Sequence, residues 1–514
     1  MSGKVVMIML YLSLLVLLLT TGFAARGQHS IREGLEKFRK QEAYASLAAL
    51  YGHSGHSYIW FRDANHRSEF LEVLSYAEAW ALDPRQYNIA ALQELQARPL
   101  RESVDSINAE LAFSISALRF FSALHAGNTT PGFRYDGLKY APSVKNIPLW
   151  LFHYQLEGGM KQLAAVVQPR SAIYRDMMNR MAHFHRVSSD VNFNEVKVVS
   201  GKVTAANRPL MVKLYQLGIA AAVESSITDK EVAALLRKAQ RMLDVLADGT
   251  LRSISLAALN KPLAYRRQQL SIAINHLRWM EQAKEQYVAI VNIPAAQLYI
   301  YKQQQQVFES RMVVGKKSTP TPVLASTIRE VVLYPYWMVP HSIATRELLP
   351  AIRRNIRYLA SNNYTVLNSA GRIVNPYSID WHALGPSYFP YTIRQGTGCD
   401  NALGIVKFNF TNPFNVYLHD TPSKGLFALN KRYFSHGCMR VEKAVDLGRM
   451  LLGINRIAID TLEEKGCQDY QKPVALRPQQ QLPVMVIYST AWYTATGDIV
   501  FYDDIYGRMT KRPR

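Results

Sequence analysis

Only three cysteines, Cys399, Cys438 and Cys467, occur in the 514 residues. So low a count excludes a disulfide-built scaffold. An odd number in an oxidising compartment leaves one thiol unpaired or paired between chains. If Cys399 and Cys467 formed a bond, Cys438 would be the free one, although spacing cannot give connectivity. The chain also lacks zinc-finger spacing, a glycine-rich phosphate loop and any tandem repeat of about 20–50 residues. Acidic residues are comparatively few, with 39 Asp and Glu against 60 Lys and Arg, a net charge of +21. A basic surface suits a polyanionic partner, whether nucleic acid, anionic lipid or an acidic cell-wall polymer, and charge alone does not choose among them. A composition of 48% hydrophobic and 19% charged residues excludes general disorder. The length calls for more than one hydrophobic core.

Charge is missing altogether from Val5 to Ala25, between Lys4 and Arg26. The run is long for a cleaved leader and close to the ~20 residues that span a bilayer. Residues 1–25 are therefore expected to be a signal peptide or a retained anchor, with the remainder exported. From 30 to 189 the apolar spacing is helical: in "AELAFSISALRFFSALHAGNTTP", Leu111, Ile115 and Leu118 share a face and Gly127 is the expected stop. Residues 190–262 read as a smaller helical unit with a turn at Asp248-Gly249. At Tyr287 the period changes. "YVAIVNIPAAQLYIYKQQQQVFESRMVVGK" reads as two strands joined by a hairpin at Gln303–Gln306, opening a mostly β segment over 285–470 with an insert at 341–393. The tail, 482–508, reads as a further β segment.

The chemistry concentrates in "YFSHGCMRVEKA", residues 433–444. A cysteine nucleophile needs a base in reach and donors aimed at the developing oxyanion. The periodicity of "RVEKAVDLGRMLLG" predicts a helix, which would place Cys438 at its positive N-terminal end. Gly437 removes the Cβ that would crowd the turn, making the Gly437 and Cys438 N–H groups the oxyanion-hole candidates. His436 adjoins the thiol. His419 ends the strand-like "NVYLH", sharing a face with Asn415 and Tyr417, and is the better placed base. A metal site from His419, His436 and Cys438 would match no common ligand spacing, so no metal or cofactor is expected.

The run from His419 through Ser435, His436, Gly437 and Cys438 to Arg440 resembles the signature of L,D-transpeptidases with a YkuD-type domain. "VNIPAAQLYIYK", "MVVGKKSTPTPV", "NALGIVKFNF" and "YLHDTPS" are similar to successive segments of the larger periplasmic members, "WFRDANHRSEFLEVLSYAEAWALDPRQY" to their scaffold domain, and "DGTLRSISLAALNKP" to the end of their peptidoglycan-binding module. Two stretches depart from the pattern: "LMVKLYQLGIAAAVESSITDKEV" is a degenerate form of that module, and "RQGTGCDN" stands where a proline-containing segment is usual. The resemblance implies a multidomain α+β protein. It has an all-α scaffold, a small helical peptidoglycan-binding-like module, and a mostly β catalytic domain whose helical insert covers the site. It implies a periplasmic enzyme whose partners are peptidoglycan stem peptides and other wall-synthesis enzymes, with no nucleic acid and no membrane contact beyond the N-terminal segment. Cys438 would be the nucleophile and His419 the acid–base, oriented in this family by a backbone carbonyl or, as a candidate, the Asp420 side chain. Arg440 would bind a substrate carboxylate, and Ser435 would stabilise the turn. An L,D-carboxypeptidase, a wall-peptide amidase and a non-catalytic wall-binding scaffold are the alternatives.

Overall fold

Helical periodicity and β periodicity separate along the chain into two compact units. The computed structural model describes residues 30–98, 103–156, 159–223, 227–284, 286–398, 400–453, 470–494 and 496–509. The N-terminal apolar run expected over 1–25 lies outside them, as do Cys399 and Cys467. One unit takes the described residues up to 131, then 141–283 and those from 489 onward; the other takes 132–140 and 284–488. The protein is thus α+β, with a helical N-terminal region and a β-rich C-terminal one.

In the helical unit the longest described N-terminal helix, Ser103–Ala126, runs through the core and stops at Gly127, whose φ of +73° only glycine adopts at low cost. Apolar residues from six further helices pack around it, including Leu47, Phe70, Leu92 and Leu163. The stretch Val104–Ala126 is long and apolar enough to cross a membrane, yet 83% of it is buried inside this unit, the mark of a core helix. Its Glu110 collects the N–H groups of Ile59, Trp60 and Phe61 and the Tyr51 hydroxyl. An irregular segment is thereby satisfied by a buried carboxylate, whose pKa burial raises. Farther along, Thr228 and Glu231 form a reciprocal cap on helix Asp229–Met242. The Asp248-Gly249 turn follows, with φ +77° at the glycine, and then helix Ser253–Leu259.

The β unit starts with three strands, not two: β1 (Tyr287–Asn292), β2 (Gln297–Lys302) and β3 (Gln305–Gly315). The sequence pattern hides the first turn because "IPAA" is apolar; Ala296 makes it with φ +48°. Gln303 and Gln304, at +50° and +66°, make the second as a tight hairpin. The sheet continues through β4 (Leu324–Leu333), β8 (Val406–Phe410), β9 (Leu418–His419), β10 (Tyr433–Ser435), β11 (Met439–Val441), β12 (Lys472–Ala475) and β13 (Leu482–Ile487). Its order is β10-β3-β11-β9-β8-β4-β13-β1-β2, and β2 also pairs with β3, so the strands from β3 round to β2 close into a ring. The tail expected as one segment over 482–508 is divided. β13 lies between β4 and β1, whereas Ala491–Tyr493 and Ile499–Phe501 pair with each other and belong to the helical unit.

The insert has its own small sheet, β5 (Trp337–Met338), β7 (Thr392–Gln395) and β6 (Tyr364–Leu367) in that order. Short helices from His341 to Ser361 pack on it, with a π-helical turn at Ala344–Leu348. Ile343, Ile352, Leu359, Trp381 and Ile393 form its core.

Candidate active site

Three adjacent strands, β8, β9 and β11, bring the site together. The register pairs Lys407 with His419 across β8–β9 and His419 with Arg440 across β9–β11, so these three residues form one row on one face. Two residues earlier, just ahead of β9 and β11, stand Tyr417 and Cys438, and the Met439 N–H donates to the Tyr417 carbonyl at 3.1 Å. The face therefore holds a thiol, a phenol, an imidazole and two cations.

The turn between β10 and β11 holds the thiol. Gly437, at φ +117°, reverses the chain. The buried Ser435 hydroxyl accepts from the Gly437 N–H at 3.2 Å and donates to the Cys438 carbonyl at 2.5 Å, tying both sides of the turn. The loop after β3 braces it. The Lys316 N–H and Thr319 hydroxyl donate to the Ser435 carbonyl at 3.0 and 3.1 Å, and the Thr321 hydroxyl donates to the Gly437 carbonyl at 2.8 Å. A Cβ on Gly315 would lie 2.3 Å from the Thr319 carbonyl oxygen, which explains the glycine.

Two expectations are corrected here. Cys438 does not sit at a helix N-terminus: β11 intervenes, and the helix Ala444–Leu452 begins only after it, so its dipole does not act on the sulfur. Nor is the Gly437 N–H available to an oxyanion, because Ser435 occupies it. Among the described residues the Cys438 N–H has no such partner.

His419 is buried, and its Nδ1 lies 2.5 Å from the Asp420 backbone carbonyl. A carbonyl only accepts, so Nδ1 carries the proton and Nε2 keeps the lone pair. The carbonyl, not the Asp420 carboxylate, orients the ring; that carboxylate accepts from the Ile405 N–H at 3.1 Å and pairs with Lys424. Burial first, then the Arg440 and Lys407 charges, lowers the imidazole pKa to about 3, leaving it a neutral base at neutral pH. Cys438 is half-buried, and burial pushes its thiol up against the opposing pull of the Tyr417 N–H and phenol and the Lys407 and Arg440 charges. At rest the thiol is thus protonated, and it points to the Asn415 carbonyl at 3.8 Å. His419 and Cys438 make no hydrogen bond with each other here, since the register sets Arg440, not Cys438, opposite the imidazole.

His436 turns away from the thiol and meets Glu347 of the π-helical turn at 2.6 Å. Arg440 is partly buried with its Nε unpartnered among the described residues. Sequence reasoning missed Lys407, whose ammonium stands 4.1 Å from the centre of the Tyr417 ring, and gave Tyr417 no role beyond the His419 face. A lone lysine in "IVKFNF" reads as an ordinary solvent-facing strand position and gave no signal.

Residues 286–456 match the L,D-transpeptidase catalytic domain called YkuD, and 45–181 match the scaffold domain. The chain belongs to the L,D-transpeptidase family. Every residue of the face just described lies inside the matched catalytic segment. A Haemophilus influenzae protein named as a candidate L,D-transpeptidase is 38% identical over 225 residues, which cover 42% of this chain and 43% of that one. The match thus spans less than half the length of that relative. An L,D-transpeptidase structure from Mycobacterium smegmatis is 12% identical and covers 39% of this chain and 58% of its own, with a TM-score of 0.19. One from Stackebrandtia nassauensis is 12% identical and covers 57% and 95%, with a TM-score of 0.21.

Proposed function

We propose that this protein is a periplasmic peptidoglycan L,D-transpeptidase that joins stem peptides through a thioester on Cys438. The observation that carries the reading is the shared face of Cys438, neutral His419 and unpartnered Arg440 on adjacent strands inside the family's catalytic domain. In this reaction the thiol leaves the Asn415 carbonyl and gives its proton to His419 Nε2 as the sulfur attacks the carbonyl of the third stem residue. The Cys438 N–H receives the oxyanion. As the tetrahedral adduct collapses, the bond to the terminal D-alanine breaks and His419 returns the proton to the departing amine. The side-chain amine of a second stem then attacks the thioester, forming a 3→3 cross-link and freeing the thiol. Arg440 suits a donor carboxylate, since its buried Nε lacks a partner among the described residues and guanidinium favours carboxylates.

The insert, anchored to the catalytic turn through Glu347 and His436, acts as a lid over the bound stem. The helical module over 190–262 serves mainly in packing, its degenerate sequence giving it a weak hold on the wall polymer. The basic surface suits acidic stems, and the N-terminal run exports or anchors the chain.

The test is mass spectrometry of muropeptides after adding the protein to tetrapeptide-rich wall. New 3→3 dimers, absent with Cys438→Ala, support the proposal. Tripeptides alone would mean that water is the acceptor, making it a carboxypeptidase, and an unchanged wall would leave a binding protein.

A further inference from the structure

Among the described residues, Lys407 is a cation without a paired counter-ion. It is partly buried, and among the described residues no carboxylate pairs with it. The carboxylate whose charge it senses, Glu330 on β4, accepts a 2.5 Å hydrogen bond from Asn409. Desolvating an ammonium is costly, and a protein keeps one in such a place where something negative comes to meet it. Among the described residues, what meets it at rest is the π-face of Tyr417. Tyr417 is itself clamped: Trp337 lends a hydrogen bond to its phenol, and the phenol and backbone N–H both lie against the Cys438 sulfur.

The charged and titratable groups around this sulfur are few. β9 contributes His419, and Tyr417 stands just before that strand; β8 contributes Lys407, and β11 contributes Arg440. His436 is held away by Glu347. His419 is neutral and Tyr417 is uncharged, so the one group on this face able to become an anion during catalysis is the thiol.

We propose that Lys407 is a positioning residue for the nucleophile: it holds the Tyr417 ring against Cys438 and supplies the positive charge that meets the sulfur as its proton leaves. The inference rests on the reading of Cys438 as nucleophile. Lys407 acts through Tyr417 by the cation–π contact and through space by charge, whereas Arg440, at the far end of the row, is left for substrate. Lys407 thereby sets the pH at which the thiol becomes reactive without touching the stem peptide.

The experiment is the rate of iodoacetamide alkylation at Cys438, followed by intact mass from weakly acidic to alkaline pH in the full chain. Wild type, Lys407→Met, Lys407→Gln and Lys407→Arg are compared, with thermal midpoints recorded alongside. The midpoint of the alkylation profile should move to higher pH by about one unit in the Met and Gln variants, the size expected for losing one nearby opposite charge. Below that midpoint, alkylation should fall about ten-fold at a given pH, and the Arg variant should restore most of it. A folded Met or Gln variant with the wild-type profile would overturn the proposal; a raised KM for stem peptide in that case would make Lys407 a substrate contact. A wild-type Cys438 that does not alkylate at any pH would instead refute the proposed function itself, and this inference with it.

Discussion

Ser435→Ala should cripple the protein through two hydrogen bonds made by one oxygen. The hydroxyl accepts from the Gly437 N–H and donates to the Cys438 carbonyl, and both backbone groups sit where water does not replace it. Each backbone group stranded in this way costs about 1–3 kcal/mol, so the pair should cost roughly 2–4 kcal/mol once partial relaxation is allowed. In a unit of this size that lowers the unfolding transition by roughly 4–16 °C. The loss is felt at the nucleophile as well, because the same oxygen fixes the carbonyl of Cys438. Differential scanning calorimetry gives the first effect and the alkylation rate of Cys438 the second. Ser435→Thr restores the hydroxyl in a strand position that tolerates β-branching and should recover most of both. An alanine variant with the wild-type transition and wild-type alkylation would show that the turn is held by the Gly315–Thr321 loop alone.

Gly404→Ala should reduce cross-linking about 100-fold, since its Cβ would lie 2.3 Å from an Asp420 carboxylate oxygen and displace the residue whose carbonyl orients His419; activity against stem peptide reads this directly. His419→Ala should remove nearly all turnover while Cys438 stays alkylatable at high pH. His436→Ala, which breaks only a half-exposed pair with Glu347, should cost about 0–1 kcal/mol and leave most of the chemistry. Acid should destabilise both units. Burial lowers His419 from 6.5 to about 3 and His276 from 6.5 to about 4. Between 6.5 and the folded values the unfolded chain binds the proton and the folded one does not, so stability falls as pH drops, by up to about 1.4 kcal/mol per unit for each histidine. Urea midpoints at stepped pH should show this, with His276→Gln relieving its share in the helical unit alone.

How much of this was legible beforehand depended on whether local sequence carried the cause. The motif around Cys438 gave the thiol, the glycine turn and His419, because those residues are fixed by chemistry that recurs with its spacing. The helix stop at Gly127 and the turn at Gly249 were legible because positive φ leaves few alternatives. Cross-strand register was not. Lys407 owes its place to pairing opposite His419, and no pattern within "IVKFNF" encodes a partner strand. The helix-start reading of Cys438 failed because the amphipathic period of Ala444–Leu452 says where a helix lies and nothing of the short strand before it. "IPAA" hid a turn for a similar reason, its apolar side chains being buried in a bend instead of a strand.

The strand β13 has a consequence for the order in which the protein can come into being. It comes from residues 482–487 yet fills the place between β1 and β4, near the opposite end of the catalytic segment in sequence. A chain made from its N-terminus therefore carries the nucleophile well before it carries the strand that closes the ring. Until then β1 along Ala289–Asn292 and β4 along Leu324–Ile328 each lack the partner that β13 supplies, leaving unpaired backbone edges of the kind that pair with other chains. A fragment ending where the family match ends, at 456, would be frozen at that stage. It would be expected to aggregate instead of serving as a minimal enzyme, and β13 would act, in effect, as the fold's own chaperone strand.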